Sequence, residues 1–154
     1  MKIRSKFLAA IALTALLITG CGEKSASIDP AALADSLSKN ITYEEQLTAV
    51  DQGDISDYFS DLKDGVECLM YMGSGKTAEE IAIFTAPDEK TAEETKVLVQ
   101  TFLDDQKAAF KAYIPEEAKR IEDAVLEQRG KYVVLCVSGD SETAKDLINK
   151  AFEK

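Results

Sequence analysis

The chain has 154 residues, with 18 Lys and Arg against 28 Asp and Glu, a net charge of −10, and no histidine. A chain this acidic lacks the cationic surface that neutralises phosphates, so nucleic acid is excluded as a partner. The missing histidine removes Ser-His-Asp and Cys-His catalysis, His-ligated zinc and histidine pH switching together.

The N-terminus, Met1-Lys2-Ile3-Arg4-Ser5-Lys6, holds three cations and no acid and is followed by an apolar run from Phe7 to Ile18. That is the plan of an export signal. A bilayer-spanning helix needs about 18 or more apolar residues, and this run is shorter. It ends in Leu17-Ile18-Thr19-Gly20-Cys21, which resembles the lipobox of bacterial lipoproteins: branched apolar, two small residues, cysteine. The resemblance implies cleavage between Gly20 and Cys21 and a diacylglyceryl lipid on the Cys21 thiol, with acyl chains of the palmitate kind. The mature chain would then sit on the extracytoplasmic face of the cell membrane. Two acyl chains give durable attachment, because each buried methylene contributes about 0.8 kcal/mol.

Loss of residues 1–20 leaves 134 residues and takes the net charge from −10 to −13. Such a domain gains nothing from anionic lipid, so the lipid on Cys21 must hold it unaided. The polar stretch Gly22–Ser27 spans only about 20 Å when fully extended, which keeps the domain near the headgroups. The expected organisation is a cleaved signal at 1–20, lipidated cysteine and linker at 21–28, and one domain at 29–154.

Asp29 and Pro30 suit an N-cap and first helical position, and Ile28 and Leu33 are spaced as a hydrophobic staple, so a helix is expected from Pro30 to about Asn40. Residues 41–65 are less regular; Ile55, Tyr58 and Phe59 suggest one short helix among loops. Val66–Met72 and Glu80–Ala86 read as strands joined by a tight turn at Gly73-Ser74-Gly75-Lys76. A helix follows from about Lys90 to Ala112, its apolar face drawn from Leu98, Val99, Phe102, Ala109, Phe110 and Tyr113.

Pro115-Glu116-Glu117 opens another helix to about Asp123. Val125–Gln128 and Tyr132–Ser138 flank Arg129-Gly130-Lys131 as a second hairpin. Asp140-Ser141-Glu142 caps a last helix bearing Ala144, Leu147, Ile148, Ala151 and Phe152 on one face. The expected class is α+β, with a mostly antiparallel four-stranded sheet of two hairpins in the order α-ββ-α-ββ-α. Tyr132–Val137 is apolar on both alternating faces, which implies a strand covered on both sides or one face left for a partner.

Ile81-Ala82-Ile83-Phe84, then Gln106, Phe110, Tyr113 and Pro115, then Ala124, Gly130-Lys131-Tyr132-Val133 and Ser138-Gly139-Asp140, resemble a family of small Gram-positive lipoproteins known as domain of unknown function 4358. The likeness runs from Val66 to the C-terminus, is looser over 22–65, and agrees with the lipobox. It implies fold and location, and no activity.

Several patterns invite a chemical reading. Gly73-Ser74-Gly75-Lys76-Thr77 is similar to the tail of a phosphate-binding loop, but Met70 stands where the first glycine belongs and a strand follows where a helix is needed. Asp51, Asp54, Asp57, Asp61 and Asp64 could offer oxygens to calcium, yet they lack the EF-hand spacing and read as turn and cap residues. The acid pairs Glu44-Glu45, Glu79-Glu80, Glu93-Glu94, Asp104-Asp105 and Glu116-Glu117 read as solvated faces. Ser138-Gly139-Asp140-Ser141 reads as a strand end passing into a cap. Cys68 and Cys136 lie in apolar runs and read as buried small hydrophobes; export permits a disulfide, but their spacing shows neither a disulfide framework nor a metal site.

No catalytic, cofactor or metal residue is therefore assigned, and Cys21 alone carries a chemical role. The expected function is a lipid-anchored, non-enzymatic binding module that meets the membrane through its lipid and a protein partner, or a second copy, through an apolar sheet face. The alternatives are an exported enzyme using carboxylate chemistry on wall or peptide substrates, and an accessory subunit of a membrane complex.

Overall fold

A computed structural model describes residues 27–153 of the chain. Gly20 and Cys21, and with them the cleavage and lipid assignments, lie outside the described residues. The elements in chain order are α1 (Pro30–Asn40), β1 (Thr48–Ala49), α2 (Ile55–Tyr58), β2 (Glu67–Met72) and β3 (Glu80–Thr85). They continue with α3 (Glu89–Tyr113), α4 (Pro115–Glu122), β4 (Val125–Arg129), β5 (Tyr132–Val137) and α5 (Ser141–Phe152).

The helix starts follow the capping logic of the sequence. Asp29 accepts from the amides of Ala31 and Ala32 at 2.9 and 3.2 Å with Pro30 at the first position of α1. Asp88 accepts from Thr91 N at 2.7 Å, and Asp140 from Thr143 N at 2.9 Å. Ile114 passes directly from α3 into α4, where Pro115 holds the first position.

The strands form one antiparallel sheet in the order β1-β2-β3-β5-β4. The class is α+β as expected, but the sheet has five strands rather than four, and the expected α-ββ-α-ββ-α order gives way to α-β-α-ββ-α-α-ββ-α. The extra strand is β1, two residues that pair with Tyr71 and Met72. Two residues are too few to show alternation, so this strand is set by its neighbour and not by its own pattern. The β2–β3 connection is likewise longer than a tight turn, spanning residues 73–79 and closed by Gly73 N donating to Glu79 O at 3.3 Å.

Alternation along the strands sorts the core into two layers. On one face Cys68, Met70, Ala82, Phe84, Val133, Leu135 and Val137 pack under α3, with Ile55 and Phe59 from the α2 region and Ile121 from α4. On the other, Ile81, Ile83, Val125, Val134 and Cys136 pack under Leu33, Ala34 and Leu37 of α1 and Ala144 and Ile148 of α5. All six residues of β5 are buried. Of the two readings open for Tyr132–Val137, the strand covered on both sides is therefore the one observed, and β5 leaves no apolar face for a partner.

Cys68 stands opposite Phe84 and Cys136 opposite Ile81, on opposite faces of the sheet. Both are buried free thiols, and a bond between them would have to pass through the sheet. The buried face of α3 is Ala92, Thr95, Val99 and Leu103, with the expected Leu98, Phe102 and Phe110 half-buried against the same core. Ala109 is exposed and Tyr113 is 86% exposed, contrary to the face expected from spacing. The reason is length: 25 helical residues reach about 37 Å, whereas six-residue strands reach about 20 Å, so the end of α3 outruns the sheet.

Candidate functional site

The residues that depart furthest from expectation are acids. Glu79, Glu80 and Glu117, each from a pair read as a solvated face, are all buried, at 2%, 0% and 4% exposure. Long ionisable side chains are almost never fully buried unless paired, so each calls for a partner.

Two of them converge on Arg120, which α4 carries one turn after Glu117. Arg120 Nη1 lies 2.9 Å from Glu79 Oε1, close enough for charge attraction but without the angle of a hydrogen bond, Nη2 lies 3.4 Å from Glu117 Oε1, and Nη2 also donates to Glu44 Oε1 on the 41–47 loop. The remaining carboxylate oxygens are taken by backbone donors. Glu79 Oε2 accepts from Glu44 N at 2.8 Å and Glu45 N at 3.2 Å, and Glu117 Oε2 accepts from Ala78 N at 2.7 Å. Burial opposes the charge on Arg120, but the bond to Glu44 and the charges of Glu117, Glu79 and Glu44 outweigh it and hold the guanidinium above its ordinary pKa.

This knot ties the 41–47 loop, the 73–79 connection and α4 into one unit at the Glu80 end of the sheet. A second clasp joins the first two. Glu45 accepts from Ser74 N at 2.6 Å and from Ser74 Oγ at 3.1 Å, and these bonds keep its carboxyl below the ordinary range. A side chain at Gly73 would put its Cβ 2.7 Å from Glu45 Oε2, so glycine is what lets Glu45 approach. The glycines of Gly73-Ser74-Gly75-Lys76 thus serve this clasp and a left-handed turn, Gly75 having φ +88°, and a strand, not a helix, follows at Glu80.

Glu80 has no cation. On β3 it stands between Met72 and Val137, in phase with Ala82 and Phe84, and faces α3, where Gln106 Nε2 donates to its Oε2 at 3.4 Å. Burial pushes its pKa up to about 8, with the Gln106 bond pulling weakly the other way.

The remaining candidates stay apart. Asp51, Asp54, Asp57, Asp61 and Asp64 are all exposed, and no group of three or more His, Cys, Asp or Glu able to hold a metal ion occurs among the described residues. Asp54 occupies the cap position of α2 without a side-chain bond, contrary to its reading as a cap. Ser138 accepts from Asp140 N at 3.2 Å through its Oγ, and Asp140 caps α5, as a strand end entering a helix should.

Sequence reasoning missed Arg120, Glu79, Glu80 and Glu117. For Glu80 a signal existed, the alternation Glu80-Ala82-Phe84 on one strand face; for Glu117 and Arg120 it was the one-turn spacing beside buried Ile121. Nothing local announced that Glu79 would meet Arg120 across 41 residues.

The acids that converge are held by a guanidinium and by main-chain amides inside the fold, and a small polar hollow of about 230 Å³ beside them is lined by Arg120, Lys119, Asp123 and Ser138. The family model for a domain of unknown function, DUF4358, matches residues 39–138, which begins earlier than the likeness read from Val66 and ends before α5. No curated protein and no solved structure matches the chain.

Proposed function

Taking as premise that the chain belongs to the DUF4358 family, we propose that it is an extracytoplasmic lipoprotein, anchored by a lipid on Cys21, whose domain is a non-enzymatic interaction module that meets its partner at the end turned away from the membrane. The observation that carries this reading is the placement of Tyr113. It is the most exposed large hydrophobic side chain among the described residues, at 86%, with Ile114 beside it at 38%. Tyrosine is among the side chains enriched at the hot spots of protein interfaces.

The chain enters the domain at the other end. Ser27 Oγ lies 3.5 Å from Tyr132 OH, and Tyr132 pairs with Thr85 at the far end of the strands from Glu80. From there α3 runs the length of the sheet, passes Glu80 at Gln106, and carries Tyr113 about 10 Å further. A six-residue linker from Cys21 would hold the Tyr132 end near the headgroups and point Tyr113 outward. The Arg120 knot supports this end by fixing the loops around it. With both faces of β5 covered, the apolar-face contact first expected is replaced by the Tyr113 corner.

The test is site-specific photocrosslinking in intact cells. A photoreactive residue at Tyr113 should give a discrete adduct, and the same residue at Lys131, near the chain entry, should not. Equal adducts from both ends, or none from Tyr113, would overturn the interaction reading. Cys21→Ser tests the anchor separately: the variant should leave the membrane fraction, and a lipid-bearing, processed Cys21→Ser protein would show that the anchor lies elsewhere.

A further inference from the structure

Glu80 presents a bonding problem that the fold has not solved with a charge. Its Oε1 is buried without a partner, and so is Oε1 of Gln106, while the same two side chains are already joined through Gln106 Nε2 and Glu80 Oε2. Two unsatisfied acceptors on adjoining groups cost free energy as they stand, because neither can donate to the other. A single proton on Glu80 Oε1 answers both. The carboxylic acid then donates to Gln106 Oε1 while the Gln106 amide donates back to Glu80 Oε2, the reciprocal pairing of an acid with a primary amide.

The surroundings favour the neutral acid. The titratable groups coupled to Glu80 are the thiols of Cys68 on β2 and Cys136 on β5, both buried, and each thiol is itself pushed up by burial and by the Glu80 charge, to about 12 and about 11. They are neutral wherever Glu80 titrates. From α3 it faces Gln106, and across the neighbouring strands Met72 and Val137. The guanidinium of Arg120 is committed to Glu79, Glu117 and Glu44 and makes no pair with Glu80.

We propose that Glu80 and Gln106 form a proton-gated latch: the protonated carboxyl pairs reciprocally with the amide and adds to the packing of Phe102, Leu103 and Phe110 and the Lys107–Glu122 pair that hold the C-terminal half of α3, and loss of the proton loosens that half. No bond other than the O–H is made or broken, and the proton leaves to solvent. The loosened segment is the one that carries Tyr113, so the latch makes the stiffness of that corner depend on external pH.

The chain is suited to revealing this. Without histidine, few other side chains titrate between the carboxylates and the thiols. In the unfolded chain Glu80 loses its proton near 4.5 and in the fold near 8. Between those values the folded state holds one proton more, so stability falls as pH rises, by about tenfold in the folding equilibrium constant per pH unit, and levels off above the folded value.

Two measurements test the latch on the full chain in detergent micelles. The first follows the Glu80 side-chain carbon by NMR in protein labelled with ¹³C-glutamate: a midpoint near 8 supports the latch, and one in the ordinary carboxylate range overturns it, with no variant required. The second compares hydrogen exchange of α3 amides in wild type and Glu80→Gln as pH rises. Beyond the base-catalysed rise common to both, amides from Leu103 to Phe110 should lose protection in wild type alone. Parallel behaviour of the two proteins would show that ionisation of Glu80 does not free the helix.

Discussion

Arg120 illustrates how one side chain can set the conformation of three segments. Its planar fork of donors meets carboxylates from the 41–47 loop, from the 73–79 connection and from its own helix, a geometry that lysine's point charge cannot reproduce. Buried ion pairs add little net stability when complete, but losing one partner strands the others in the interior, at a cost of about 3 to 5 kcal/mol. Arg120→Met is therefore expected to lower folding stability by that amount, read as a shift in the urea midpoint, with Arg120→Lys intermediate. An unchanged midpoint for Arg120→Met would mean that Glu79 and Glu117 are satisfied by Ala78, Glu44 and Glu45 main-chain amides alone. Little of this was legible locally. A glutamate beside a glutamate looks the same in sequence whether it faces water or a guanidinium contributed by a distant helix, and the usable hints were the alternation of Glu80 with Ala82 and Phe84 and the one-turn spacing of Glu117 and Arg120.

At the scale of elements, the capping aspartates are the parts most plainly written in the sequence. Asp29 before Pro30 and Asp140 before the last helix each stand where a carboxylate can accept a free amide, and each does so; Asp88, whose role the spacing leaves open, caps the long helix in the same way. The same chemistry gives a pH dependence. The amides of Thr91 and Thr143 hold the carboxyls of Asp88 and Asp140 below their ordinary range. A carboxyl lowered in the fold contributes stability that is present above its unfolded pKa and is lost as pH falls through its folded pKa. Asparagine caps equally well but does not titrate, so Asp88→Asn with Asp140→Asn should leave neutral-pH melting nearly unchanged and flatten the acid side of the melting curve. A double variant as acid-labile as wild type would place that lability elsewhere. By contrast β1 was illegible, because a two-residue edge strand draws its identity from the bonds offered by Tyr71 and Met72. The exposure of Tyr113 was illegible for a related reason: periodicity reports which face of a helix is apolar, not where the sheet beneath it ends.

For the whole molecule, the two-layer core fixes the state of the cysteines. Cys68 and Cys136 lie on opposite faces, so reductant should leave the melting temperature unchanged, and both thiols should react with a thiol reagent only after unfolding. A reductant-sensitive melt would contradict the register of β2, β3 and β5. Strand order has a further consequence. The sheet runs β1-β2-β3-β5-β4, so the last strand in the sequence is an inner one, and it is what joins the first hairpin to β4. Until β5 is available, β3 and β4 have no common neighbour and neither apolar layer can close. The domain therefore has no stable N-terminal part that could fold early while the chain is still being made. A protein exported as proposed must thread a membrane before it folds, and this topology postpones folding until β5 has emerged, without a separate device for doing so.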